Sequence, residues 1–167
     1  MADTPNFDDA NFALRLYELR REPELRKARA MIGNLLDGAS WETIQAVRDY
    51  GHKENAHFRQ VTSYWEMAAS FVNRGIFHPD VFLDTCGEAF YTYCALKPHI
   101  AKIRESGAPR FLLQVEKIAL DHPACRERVE AIEKGMAAYR AKEAADALAK
   151  QTAKSKGAKK PAKAKRR

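Results

Sequence analysis

Residues 55–73 read NAHFRQVTSYWEMAASFVN, and within them Phe58, Val61, Trp65, Ala68 and Val72 recur at alternating steps of three and four. At 100° of rotation per residue these side chains share one side of an α-helix, which must therefore be buried against partners. The opposite flank collects Arg59, Thr62, Ser63, Glu66, Ser70 and Asn73 within about a third of the circumference. A helix with one apolar stripe and one polar flank sets the pattern for the chain.

The same period extends outward in both directions. Upstream, Phe7 to Arg21 carries Phe12, Leu16 and Leu19, and Glu22-Pro23 interrupts it, with Pro23 suited to the first turn of a second helix. That helix runs to about Leu36 with a stripe of Leu25, Ala28, Ile32 and Leu35. Asp37-Gly38 stops it, and Ser40 caps a short helix holding Trp41, Ile44 and Val47.

Downstream, Arg74-Gly75 ends the central helix and His78-Pro79-Asp80 opens the next. Phe82, Cys86, Ala89, Tyr93, Leu96, Ile100 and Ile103 keep the rhythm straight through Pro98. This predicts a long helix kinked at the proline, with Gly87 as an alternative break. After Ser106-Gly107-Ala108-Pro109, a helix from about Pro109 carries Phe111, Leu112, Val115 and Ile118. A last helix from Pro123 buries Cys125, Val129, Ile132, Met136 and Tyr139 and frays near Lys150. Strand-like alternation is nowhere sustained, so the fold class is all-α: an irregular antiparallel helical bundle of about six helices. Aromatics from Phe58 to Tyr93 mostly share one face and are read as core.

Charge divides the 167 residues unevenly. Of 29 basic residues, nine lie from Lys150 to Arg167 with no acidic residue among them, leaving 20 basic against 22 acidic in residues 1–149. The formal net charge of +7 is thus carried by a Lys/Ala-rich tail, residues 150–167, behind a nearly neutral body, residues 1–149. Its composition predicts disorder. Lys150, Lys154, Lys156, Lys159, Lys160, Lys163, Lys165, Arg166 and Arg167 can displace counterions from nucleic-acid phosphates without reading sequence. No aromatic lies among them, so base stacking by the tail is not expected. A solubilising role, or attraction to anionic lipid or ribosomal RNA at large, is the competing reading.

Several function classes lose their handle. No stretch approaches the roughly 20 apolar residues of a membrane span, and no basic region followed by an apolar core opens the chain, so a cytoplasmic setting is expected. Cys86, Cys94 and Cys125 form neither a disulfide framework nor a zinc spacing, and are read as buried thiols. None of the five histidines stands three or four residues from another, the helical spacing that would aim two rings at one metal. His52 and Glu54 open a zinc-deaminase-like H-x-E, yet Pro123-Ala124-Cys125 is followed by no second cysteine. Nucleotide-loop and common hydrolase motifs are missing, and no cofactor is expected.

Glu66 and Arg104 are the polar residues of interest on the apolar frame, and are read as a candidate ion pair fixing helix register. The expected function is a non-enzymatic interaction module. In it the body docks an unknown protein partner or self-associates as a homo-oligomer, while the tail holds nucleic acid. Alternatives are an enzyme or small-ligand sensor with a polar inter-helix pocket built on Glu66, Arg104 or a histidine, and a peripheral component of a membrane-associated complex, without membrane insertion.

A set of short elements points to a family. Ala28-Arg29, Trp65-Glu66, Arg74-Gly75-Ile76, Cys86-Gly87, Leu96-Lys97-Pro98-His99-Ile100 leading to Arg104, and Gly107-Ala108-Pro109 occur in that order. From Arg26 to Ala119 the chain resembles an uncharacterised bacterial all-helical family, a domain of unknown function. The resemblance implies a similar helical fold and brings no activity with it. The tail lies outside it and is similar to the Lys/Ala/Pro tails of linker histones.

Overall fold

The structure, a computed structural model, describes residues 4–157 and the side chains of residues 4–151. In order, its elements are α1 (Phe7–Arg20), α2 (Pro23–Met31), a π-turn (Ile32–Leu36), α3 (Trp41–Arg48), α4 (Asn55–Asn73), α5 (Pro79–Thr85), α6 (Gly87–Leu96), a 3-10 turn (Lys97–His99), α7 (Ile100–Glu105), α8 (Leu113–Asp121) and α9 (Pro123–Gly157). Among the described residues no strand occurs, and the fold is all-α as expected. The chain divides into two compact units, Met1–Ile132 and Glu133–Arg167. That division falls earlier than the charge boundary at residue 150.

In the first unit α4 is the central element, packing most extensively on α2 and α8. Its predicted stripe is buried entire, and Thr62, Tyr64 and Ala69 are buried beside it. Close approach to α2 is possible because Ala28 presents only a methyl group there and is fully covered. The aromatic residues form a connected chain. Phe12 meets Phe71 edge-on at 5.1 Å and Phe77 at 4.9 Å, and Phe77, Phe82 and Phe90 follow at 6.2 and 5.7 Å. The three cysteines are free and buried.

Polar bonds fix how the helices enter and cross. Asn6 caps α1 by accepting from the Asp8 and Asp9 amides, and Asp9 returns the bond to the Asn6 amide at 2.9 Å. The other Asp9 oxygen accepts from the His78 amide at 2.8 Å, tying α1 to the start of α5. These amides, that of Asn6 first, hold the Asp9 carboxyl below its usual pKa. Arg29 on α2 grips both oxygens of Glu88 on α6 through Nε and Nη2, and donates Nη1 to the Arg20 carbonyl at 3.0 Å. The Tyr64 hydroxyl donates to the Leu16 carbonyl at 2.7 Å, and burial pushes its pKa up to about 12.

Six sequence expectations are corrected. Leu35 is 36% exposed and Leu36 is buried in its place, because the π-turn inserts a residue into the helical count, with the Asp37 amide bonding the Ile32 carbonyl five residues back. Leu19, 42% exposed, also leaves its stripe. The long kinked helix is three segments. α5 stops at Thr85 and α6 starts at Gly87, while Pro98, lacking an N–H, sits in the 3-10 turn between α6 and α7. The helix expected from Pro109 begins only at Leu113. Finally, α9 continues beyond Lys150 to Gly157, since the alanine-rich run before it is strongly helix-forming. In the second unit Tyr139 is 59% exposed, against the buried position expected, and its hydroxyl donates to Glu143 at 3.0 Å.

Two outcomes follow from this packing. Phe82 is fully enclosed, so Phe82→Ala should lower unfolding free energy by about 3–5 kcal/mol in urea titration, through lost burial plus a cavity. The second concerns His57 on α4, whose Nδ1 lies 2.8 Å from Glu54 and whose Nε2 lies 3.4 Å from Glu24 on α2. Its pKa is raised from 6.5, by Glu54 first, and His57 in turn lowers that of Glu54 from 4.5. A raised histidine stabilises the fold fully below 6.5 and loses that contribution as pH rises through the folded value. A lowered glutamate contributes above 4.5 and loses it as pH falls through the folded value. The stability difference between wild type and His57→Gln should therefore be largest between 4.5 and 6.5 and shrink at alkaline pH, as followed by urea unfolding across pH.

Candidate functional site

The polar flank of α4 faces a cleft of about 460 Å³ closed on its other sides by the end of α3 and by the loop between α7 and α8. Asn55, Arg59, Thr62, Ser63 and Glu66 line it from α4; Arg48 and Tyr50 line it from the end of α3 and the turn that follows. Gly107, Ala108, Arg110, Phe111 and Leu112 close it from the loop. The volume lies within the range typical of small-molecule sites, about 300–1,000 Å³.

Glu66 builds the loop wall. Its two carboxylate oxygens accept from the Gln114 amide at 2.8 and 3.0 Å, and one also accepts from the Val115 amide at 3.2 Å. These are first-turn N–H groups of α8, which has no side-chain cap of its own. A carboxylate from α4 thus caps α8 across the bundle and meets the positive end of its dipole. Burial pushes the Glu66 pKa up, against the pull of the Gln114, Val115 and Leu113 amides and the nearby Arg104 charge. Leu112, the residue before α8, has φ 49° and ψ 31°, a left-handed conformation unusual for leucine. Its side chain is buried, so core packing and the Glu66 cap together hold the turn there.

The expected Glu66–Arg104 pair does not form directly. Arg104 instead bonds Glu116 on α8 at 2.7 Å and donates Nε to the Phe111 carbonyl at 3.0 Å. The two residues converge on the start of α8 from different sides. They miss each other because the α8 amides compete for Glu66, and Glu116, in the first turn of α8, takes the guanidinium.

Besides Glu66, whose oxygens are turned to α8, the charged side chains of the cleft are Arg48, Arg59 and Arg110. Among the described residues none of the three pairs with a carboxylate. Arg48 is steered by the Ser106 hydroxyl at 2.6 Å, and the end of α3 that carries it is held by Asn55, whose Nδ2 donates to the Val47 and Arg48 carbonyls. The Arg59 guanidinium lies 5.2 Å from the ring centroid of Tyr50, which is 82% exposed. Phe58 and Phe111 stack in parallel at 5.7 Å beneath. Arg59 and Glu66 were legible as part of a polar flank. Arg48, Tyr50 and Arg110 carried no spacing signal, because they reach the cleft from the last residue of a helix and from turns.

Other candidate residues fall elsewhere. His99 faces the Ala39 carbonyl at 2.9 Å, while the Nδ1 atoms of His52 and His78 accept backbone amides two residues on. Among the described residues no three His, Cys, Asp or Glu side chains gather as metal ligands would. Among them, too, no helix is long and apolar enough to cross a membrane. Lys150, Lys154 and Lys156 lie within the helical span of α9. Lys159, Lys160, Lys163, Lys165, Arg166 and Arg167 lie outside the described residues.

Removing the α8 cap gives a measurable consequence. Glu66→Ala strips the acceptor from half-buried amides and should lower unfolding free energy by about 1–3 kcal/mol, with Glu66→Gln, which keeps one oxygen, falling between it and wild type. Chemical denaturation with circular dichroism reads both.

No curated protein and no solved structure matches the chain. A family match covers α1 through α8, a longer span than Arg26 to Ala119, and takes in every residue of the cleft. The chain belongs to the family described as Domain of unknown function (DUF4760), matched over residues 7–121.

Proposed function

We propose that the helical body is a non-enzymatic binding module for a small anionic ligand, held in the cleft beside α4. The observation that carries this reading is the convergence of Arg48, Arg59 and Arg110 on one cleft, none of them paired with a carboxylate among the described residues. Guanidinium groups confined together repel one another, and an anion entering between them relieves that repulsion while accepting their N–H bonds. The cleft's acidic side chain, Glu66, has its oxygens turned to the α8 amides. It therefore does not stand free as a general base, and its single charge is outnumbered by the three guanidinium groups.

This reading favours a sensor over an enzyme, since a catalyst needs a positioned acid, base or nucleophile at the ligand. Melting the full chain in sulfate or phosphate, against chloride at matched ionic strength, should raise Tm through preferential binding to the folded state. The increment should shrink in Arg59→Ala and Arg110→Ala, both exposed positions whose truncation leaves the core intact. An equal rise in wild type and both variants would remove the cleft from the account.

A second reading concerns the basic run that starts at Lys150. Nine basic residues and no acidic one, behind a body of 20 basic and 22 acidic residues, support non-specific attraction to nucleic acid. Replacing those nine by glutamine in the full chain should abolish retention on duplex DNA at low salt. It should also flatten the dependence of binding on salt, read by fluorescence anisotropy. Retention that survives the replacement would assign the affinity to the body. A protein partner or self-association of the body is compatible with either reading, as is a cytoplasmic setting.

A further inference from the structure

We propose that the anion bound in the cleft carries a flat aromatic ring on its phosphate, so that the ligand class is a free mononucleotide. The inference rests on the binding reading above and adds to it the second half of the ligand. A cleft of about 460 Å³ is far too roomy for phosphate alone, given that one water occupies about 30 Å³ of liquid. What fills the remainder is set by the walls, where three aromatic rings stand among the polar side chains: Tyr50 at the lip, with Phe58 and Phe111 stacked in parallel.

Tyr50 is the informative residue. An exposed tyrosine normally gains by covering its ring, yet this one is 82% exposed while Arg59 lies over it at 5.2 Å. That arrangement sets a planar cation and a planar ring at the same edge. A purine or pyrimidine can stack on such a platform while its phosphate reaches the neighbouring guanidinium groups of the cleft. Arg48 is already oriented, since Ser106 fixes one of its nitrogens. Opposite, Gly107 has φ 103° and open space where a side chain would stand, leaving room for a ribose or phosphate along the backbone.

Isothermal titration calorimetry on the full chain tests this with adenosine 5′-monophosphate, inorganic phosphate, adenosine and succinate. The expected result is binding of the monophosphate at least roughly tenfold tighter than of phosphate or succinate, with adenosine weaker still. Tyr50→Ala should weaken the monophosphate by roughly tenfold while leaving phosphate unchanged, and Tyr50→Phe should restore it, because the ring and not the hydroxyl is used. Arg59→Ala should weaken both anions.

Two results would overturn the inference in distinguishable ways. Equal affinity for monophosphate, phosphate and succinate, indifferent to Tyr50→Ala but sensitive to Arg59→Ala, removes the ring and leaves an anion site. Absence of any anion binding, or binding that ignores Arg59→Ala and Arg110→Ala, removes the site itself. A single-stranded dodecamer included as competitor separates the sources. Failure to displace the monophosphate at equal nucleotide concentration supports a free ligand, and preferential capture of the dodecamer by the same arginines overturns it.

Discussion

The carboxylate of Glu66, reaching from α4 to the first amides of α8, is the bond on which the shape of the cleft depends. A helix start needs acceptors for its leading N–H groups, and the residue before α8 is Leu112, whose side chain has none to offer. The left-handed turn at Leu112 and the loop of residues 106–112 therefore stand on a cap supplied from another helix. Arg104 completes the joint by holding the Phe111 carbonyl and Glu116. The loop that carries Arg110 and Phe111 into the cleft is positioned by these bonds, so architecture and site share one cause.

That same bond sets the electrostatics. In a body whose charges nearly cancel, local potential depends on which groups are left without partners. Arg29 is taken by Glu88 and Arg104 by Glu116, both partly buried, whereas Arg48 bonds a hydroxyl, Arg59 lies over an aromatic ring, and among the described residues neither they nor Arg110 pair with a carboxylate. A near-neutral sum thus conceals a cationic cleft. Counting charges along the chain locates the basic run from Lys150 onward and overlooks the cleft entirely, because pairing is a property of three dimensions.

The central helix, its buried stripe and its polar flank were readable directly, since burial on a regular helix is a matter of period. So were the proline and glycine punctuations that end or start helices at Pro23, Gly38, Pro79 and Pro123, whereas Gly87 stood only as the alternative to a helix kinked at Pro98. Reading failed wherever the count of residues per turn changed. The π-turn at Ile32–Leu36 exchanges Leu35 for Leu36 in the core, and the left-handed Leu112 delays α8 past Pro109. A single extra residue or reversed φ leaves no mark on composition or spacing. Glu66 and Arg104 stood out as polar residues on apolar helices, but Glu66 finds its partners 48 and 49 residues on while Arg104 bonds residues 7 and 12 further along, and nothing local separates a direct pair from two side chains that meet one helix start separately.

The failure at Leu112 and the existence of the cleft have the same origin. Had α8 begun at Pro109 as its periodicity suggests, Phe111 and Leu112 would have joined the helical stripe and the gap beside α4 would have been filled by a regular turn. Instead the chain spends residues 106–112 on turns, at a conformational cost of about 1–3 kcal/mol for a leucine with positive φ. A cost of that size persists only where surrounding contacts enforce it, and here they are a buried leucine side chain, a capping glutamate and a bonded arginine. A bundle optimised for packing alone has no use for such a loop. Irregularity held in place by dedicated polar bonds, beside an arginine-lined opening, is the arrangement that the proposed anion site requires.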